Sequence, residues 1–597
     1  MRSYLLSLCF FLFTVFAFSL VSPVDAAGES IGDRGIPRNV LSKKCGRQLL
    51  NLFKTTSLHH PIPVWIYFTD RGGLHSVPSS DERLHTMSPR AASRRRLRAS
   101  PAIDRFDLPV HSSYIERLRD HVLRFRHRSR YFNAVSAEVL VSEVTAICSY
   151  PFVERVEVVA VYKRGYVPDE RMGDGGNLWL SLDDPLSSKY GESLNQLDQI
   201  QVIELLEMGY NGSGSGFGSS PVLICLMDTG FEMAHVALTH VNVLAEWDFV
   251  QGDSVTSNEE GDHPDQDRHG TVVLGTIAGY DEGHLIGPAW GADYILAKTE
   301  IIDQEIRIEE DKWVAGIEWA DSAGADIVSS SLGYIDWYTP DLLDGDTPIC
   351  TRAADIAASH GIVVVNAVGN EGMFGDTTLI APADGDSVIA VGAVNRYGNI
   401  AHFSSRGPSA DGRIKPELVA LGQGVHTVLY NTISDYGKLN GTSLATPLVA
   451  GLCVLLLEIH PDWNPGEIRE ALLTTATSSD APDNTYGYGI PRGLLASGLD
   501  APEITEFVTL TGGFPNPFSD QTRFQLYLPR AEMVTVKVYD CRGALIRTLV
   551  DEKPLKWMWT LSWDGRNDAG RGVAGGVYFL HFQSRTFSRT VKVLRIP

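Results

Sequence analysis

Six consecutive apolar residues, Val222, Leu223, Ile224, Cys225, Leu226 and Met227, run directly into Asp228-Thr229-Gly230. A strand this apolar has no polar face to show to water, so both of its faces must be covered. A second run, Val363-Val364-Val365, leads into Asn366-Ala367-Val368-Gly369-Asn370-Glu371-Gly372. Between and after these runs come helical stretches: one opened by His269-Gly270-Thr271 and rich in small residues, and an apolar one at 448–458. Buried strands alternating with helices predict an α/β fold with a doubly wound, mostly parallel sheet. In such sheets ligands and catalytic groups collect at the carboxyl ends of the strands, where Asp228 and Asn370 stand.

The charge distribution divides the chain of 597 residues. Lys plus Arg against Asp plus Glu is 23 and 13 over residues 27–165, 14 and 50 over 166–501, and 13 and 9 over 502–597. The acidic middle repels phosphate backbones, which argues against a nucleic-acid partner. With 44% hydrophobic and 21% charged residues, a disordered, collagenous or polytopic membrane protein is excluded. Residues 1–26 read as a signal peptide: Arg2, an apolar run at 5–21 and the small-residue end Val24-Asp25-Ala26. No other apolar run of that length is apparent, so no stable membrane span is expected. The seven cysteines are scattered, without metal-ligand spacing or a disulfide framework.

Residues 27–165 alternate extended and helical patterns, with a strand at 63–68 and a basic helix at 112–130. The Arg94-Arg95-Arg96-Leu97-Arg98 run is expected to be a solvated face. Gly, Pro, Ser and Asp then mark a linker at 166–189.

Each candidate residue has an ordinary reading beside the chemical one. Asp228 after a strand can be a turn residue, and one Asp-Thr-Gly also fits an aspartic protease, although a second triplet is lacking. Most of the 17 histidines must be surface residues, yet His269 starts a helix after the polar 262–268 loop. In Asn440-Gly441-Thr442-Ser443-Leu444-Ala445-Thr446-Pro447 the glycine allows a tight turn that delivers Ser443 at a helix start. Ser443 can be a helix cap, or a hydroxyl whose backbone N–H and helix dipole serve an oxyanion. Asn370, between two turn-forming glycines, is placed where an amide N–H can be a second oxyanion donor.

Taken together, Asp-Thr-Gly at 228, His-Gly-Thr at 269, Ser-Leu-Gly at 331, Val-Gly-Asn-Glu-Gly at 368 and Asn-Gly-Thr-Ser at 440 resemble the subtilisin-like serine proteases. The resemblance spans residues 190–501. It implies that His269 is the general base for Ser443, that Asp228 orients and stabilises the imidazolium, and that Asn370 donates to the oxyanion. Ser331, Leu332 and Gly333 would be the extended edge that pairs with a peptide substrate. Val272 departs from the second histidine common after His-Gly-Thr, a position with no catalytic role. Residues 27–165 resemble the inhibitory propeptide of the same family, and their positive charge suits the acidic neighbour.

Residues 502–597 show short alternating strands, predicted to form an all-β sandwich around Trp557, Trp559, Trp563, Tyr578 and Phe579. They resemble C-terminal sorting domains of bacterial type IX secretion and hook-capping sandwiches, with an accessory sandwich as the alternative. The expectation is a secreted or cell-surface serine endopeptidase made as a pre-pro-enzyme. It would act on protein or peptide substrates and be inhibited by its own propeptide, with secretion machinery as a partner of the C-terminal region. No cofactor is required for catalysis, and structural calcium fits the acidity without an assigned ligand. The competing class is a silent binding protein on the same fold, against which the joint presence of Asp228, His269, Ser443 and Asn370 weighs.

Overall fold

The computed structural model describes residues 43–72, 87–99, 102–159, 161–164, 185–214, 220–302, 306–334, 338–499, 509–510, 513, 515–585 and 587–596. Residues 1–26, expected to be a signal peptide, and residues 166–184 of the expected linker lie outside them.

The N-terminal unit is a four-stranded antiparallel sheet in the order β2-β3-β1-β4, formed by β1 (Pro61–Phe68), β2 (Arg124–Ser129), β3 (Ala134–Leu140) and β4 (Val153–Val158). Its helices are α1 (Arg47–Thr55), α2 (Pro89–Arg98), α3 (Ser112–Leu118) and α4 (Val144–Ser149). The β1 residues Ile62, Val64, Ile66 and Phe68 pack with Leu49, Ile115, Leu118 and Ile147 in the unit's own core. Trp65 and Tyr67 point the other way, into a core shared with Trp313 and Ile317 of the middle region. The uninterrupted apolar stretch of β1 therefore has a cause: successive residues face opposite sides, and both sides are covered.

The middle region is built on an eight-stranded sheet of β6 (Leu223–Asp228), β7 (Asn242–Asp248), β10 (Asp293–Lys298), β12 (Ile327–Ser330), β13 (Val363–Ala367), β14 (Val388–Asn395), β15 (Leu418–Val428) and β16 (Tyr436–Asn440). A small hairpin, β8 (Tyr280–Asp281) and β9 (Leu285–Ile286), and β11 (Ile306–Glu309) lie outside it. The order is β16-β15-β14-β13-β12-β6-β10-β7, parallel throughout except for β16. On one face lie α5 (Arg268–Ala278) and α8 (Thr442–Ile459), packed on Ile224 and Leu226. On the other lie α6 (Glu310–Ala323) and α7 (Ile349–Ser359), packed on Leu223, Cys225 and Met227. The winding reverses at β6: β10 and β7 lie on one side of it and β12, β13, β14 and β15 on the other. Ligand crevices in open α/β sheets form at the carboxyl ends of such strands. By length and mean hydropathy, 1.9, α8 is a second apolar run able to cross a membrane, but 89% of it is buried as the core helix of this region.

The Arg94–Arg98 run departs from the solvated face expected of it. Arg94 and Arg95 are 2% and 1% exposed, between the N-terminal unit and the end of α6. Arg94 pairs with Asp321, and Arg95 donates to Asp321 at 2.8 Å and to Asp107 at 2.9 Å. Arg98 and Arg90 both reach Asp326 at 2.8 Å, Arg130 reaches Asp321 at 2.5 Å, and Arg126 grips Asp311 in a two-pronged bond of 2.8 and 2.9 Å. Buried charges persist only when paired in this way.

The C-terminal region is antiparallel, with β17 (Thr509–Leu510), β18 (Thr522–Asp540), β19 (Leu545–Trp563), β20 (Gly576–Gln583) and β21 (Ser588–Arg595) in one five-stranded sheet. The short strands expected at 522–528 and 534–539 merge into the 19-residue β18, whose register shifts against β19 near Leu528/Glu532 absorb the break. Trp563 and Tyr578 are in its core as expected, whereas Trp559 is 41% exposed and the side chain of Trp557 lies outside the described ones.

Candidate active site

Asp228 ends β6, and His269 is the second residue of α5. They meet because Gly270 lets the helix press on the strand end: a Cβ there would lie 2.1 Å from the Gly230 carbonyl oxygen and 3.0 Å from Asp228 Cβ. His269 Nδ1 is 2.7 Å from Asp228 Oδ1, which also accepts the Thr229 N–H at 2.8 Å. The Asp228 side chain is 1% exposed and the imidazole 26%. Holding Nδ1–H on a carboxylate leaves Nε2 as the ring's basic atom, fixes the ring and stabilises its protonated form.

Ser443 is the second residue of α8, after Gly441 at φ +152°, and is 8% exposed. Its hydroxyl donates to the Ser331 carbonyl at 3.4 Å, a long bond that a modest rotation exchanges for another acceptor. Pro447, four residues on, has no N–H to give the Ser443 carbonyl. The Ser331 hydroxyl takes its place, donating to that carbonyl at 2.8 Å. Ser331 thus supports the turn that carries Ser443, a role its position in the Ser-Leu-Gly motif did not reveal.

Asn370 follows β13. Its Oδ1 accepts both the N–H and the hydroxyl of Thr442 at 3.0 Å, and since an N–H can only donate, the amide orientation is settled. The Nδ2 donor is the end directed away from Thr442. Leu332 is buried, with its carbonyl accepting from Asn366 Nδ2 at 3.0 Å, and Gly333 faces Ile380, where a Cβ would meet Cδ1 at 2.4 Å. The Ser331 hydroxyl and the Leu332 side chain are thus both engaged within the protein. Elsewhere, β11 pairs antiparallel with β5 (Val161–Arg164), Ile306 opposite Arg164 and Glu309 opposite Val161. The partner strand for the tail of the N-terminal unit went unread in the sequence; the alternation at 306–309 is its only signal.

Among the described residues two groups of acidic and histidine side chains have metal-like spacing, and both already hold cationic side chains. Asp248, Asp253 and Glu259 adjoin Lys298, whose ammonium is 2.8 Å from Asp248 and 2.7 Å from Asp262. Asp107, of the group with Asp104 and His360, takes Arg95 and Arg130, each at 2.9 Å.

The chain is similar to known proteins over this same region. The Peptidase S8 subtilase family description matches residues 219–489, and the Peptidase S8 propeptide domain of Bacteroidota matches residues 63–170. Subtilisin E of Bacillus subtilis (strain 168) is 34% identical over 316 residues, 52% of this chain and 72% of that protein. The chain belongs to the subtilase family. Subtilisin DY of Bacillus licheniformis is 34% identical over 308 residues, 51% of this chain and 96% of that protein. A solved structure of a mutant of the protease domain of PatA aligns with 47% of this chain and 94% of that one, at 23% identity and a TM-score of 0.40. This subtilase is a serine endopeptidase with a propeptide domain, and its mostly parallel sheet is the subtilisin-like fold. Subtilisins in general need no cofactor for catalysis.

Proposed function

We propose that Asp228, His269 and Ser443 form the catalytic triad of a secreted endopeptidase working through an acyl-enzyme, with Asn370 in its oxyanion hole. The observation that carries this is the 2.7 Å bond between Asp228 and His269, on a helix that packs against the one whose start bears Ser443. As a substrate carbonyl arrives, the Ser443 hydroxyl leaves the Ser331 carbonyl, turns to His269 Nε2 and gives up its proton while Oγ attacks. The negative oxygen is met by the Ser443 N–H and by Asn370 Nδ2, both held in place beforehand. The imidazolium then protonates the leaving amine, and water repeats the sequence in reverse to free the acid. The substrate runs as an extended strand between the backbone of residues 331–333 and β11.

The pairing of β5 with β11 supports the reading that the propeptide, residues 27–165 with its end near Val161, occupies this substrate path as an intramolecular inhibitor. Export through the signal peptide, and a sorting role for residues 502–597 by way of secretion machinery, complete the proposal. Ser443→Ala tests it: peptide hydrolysis should fall by about 10⁶-fold, the size of the loss on removing subtilisin's own nucleophile. Labelling by a fluorophosphonate should vanish and the unfolding temperature should stay within a degree or two. Full activity in this variant refutes the assignment.

A further inference from the structure

Two thiols outside the cleft lie side by side. Cys45, just ahead of α1, and Cys148, in α4, are 7% and 0% exposed in the core of the N-terminal unit, with their sulfurs 3.5 Å apart across 103 residues of sequence. Both backbones are anchored. Cys45 bridges Val156 and the next residue, Gly46, donates to the Val156 carbonyl at 3.1 Å, while Cys148 is within a helix packed on the same β4. Among the described cysteines, no other two sulfurs lie within hydrogen-bond distance. A disulfide needs an S–S separation of about 2.05 Å, within reach of side-chain rotation from this arrangement.

We infer that Cys45 and Cys148 are an oxidisable pair that closes a disulfide in an oxidising compartment and stays as two thiols in a reducing one. The oxidant is a small-molecule or protein disulfide. One cysteine thiolate attacks a sulfur of that disulfide and expels its other half as a thiol. The second cysteine then attacks the mixed disulfide and expels the remaining half. One S–S bond forms in the chain, one is lost in the oxidant, two electrons pass to the oxidant, and its two sulfurs leave with the two thiol protons. The bond would close a loop of about 100 residues, a length at which cross-linking strongly restricts the unfolded chain. It would staple the segment ahead of α1 to α4 and harden the N-terminal unit only after the protein reaches oxidising surroundings.

The test uses the full chain, folded in a glutathione disulfide buffer, quenched in acid, alkylated in denaturant and digested without reductant. Mass spectrometry should find the Cys45 and Cys148 peptides linked to each other and the other cysteines alkylated. Adding dithiothreitol should then lower the unfolding temperature of the full chain by several degrees, and have no such effect on Cys148→Ala. Complete alkylation of both residues after oxidative folding, or linkage of either to a different cysteine, overturns the inference.

Discussion

Two buried aspartates show how differently this chain uses a carboxylate. Asp321, between the N-terminal unit and α6, is met by Arg94, Arg95, Arg130, His360 and the Tyr131 hydroxyl. Asp228 is as deeply buried, yet the partners described for it are the imidazole of His269 and its neighbour Thr229. Burial pushes the Asp321 carboxyl up, but the guanidiniums of Arg130, Arg94 and Arg95, together with His360, draw it well below the usual carboxylate range. A carboxylate with three guanidiniums, an imidazole and a hydroxyl around it is a clasp, since its oxygens are committed to holding two regions together. One with a single imidazole can stabilise a charge that comes and goes there.

The sharpest way to break the contrast is Asp228→Asn. The amide cannot hold the same imidazole tautomer, so kcat should fall by about 10⁴-fold, the size known for this change in a serine-protease triad. Thermal unfolding should hardly move, and a loss below tenfold would deny Asp228 its role.

Asp321→Asn should do the opposite. Removing one partner of a buried ion pair costs about 3–5 kcal/mol because the remaining charges are left uncompensated. The N-terminal unit should detach more readily, seen as faster proteolysis of 87–130 in the full chain, while turnover by enzyme freed of that unit should be unchanged. The same clasp predicts a pH response. A carboxyl depressed in the folded state stabilises above its unfolded pKa, about 3.9, and loses that contribution only as pH falls through the lower folded value. Proteolysis of 87–130 should therefore stay slow on acidification from pH 7 to about 5. Release within that window would place the weak point elsewhere.

The smallest effect is expected at Ser331. Ser331→Ala removes the donor to a carbonyl that Pro447 cannot serve, leaving a buried acceptor unmet at about 1–3 kcal/mol. A roughly tenfold fall in kcat with KM unchanged would mark Ser331 as a positioning residue for Ser443. Restoring a donor with Pro447→Ala in the Ser331→Ala background should recover part of it; equal loss in KM would instead point to substrate contact.

Much of this was legible in the linear chain wherever the signal is local. The apolar run at 222–227 announced a strand covered on both faces, and the strand ends and helix starts that bear Asp228, Asn370, His269 and Ser443 were each readable. The C-terminal strands were readable too, but not their merger into β18 and β19, because a register shift looks like a strand end in a pattern of alternation. The arginine run was misread for a physical reason. A charge run looks the same in sequence whether it meets water or carboxylates, and Arg94 and Asp321 are 227 residues apart.

By itself the sequence determined the element types, the apolar layers, the charge of each region and the motif residues at strand and helix ends. These follow from side-chain periodicity and backbone preference over a few residues. Tertiary structure alone decided which carboxylates enclose Arg94 and Arg95, which hydroxyl stands in for the missing Pro447 N–H, that β1 buries its second face on α6, and that Cys45 lies 3.5 Å from Cys148. Each of these is a contact between segments distant in sequence, and its energy depends on burial and distance, quantities that exist only once the chain has closed on itself.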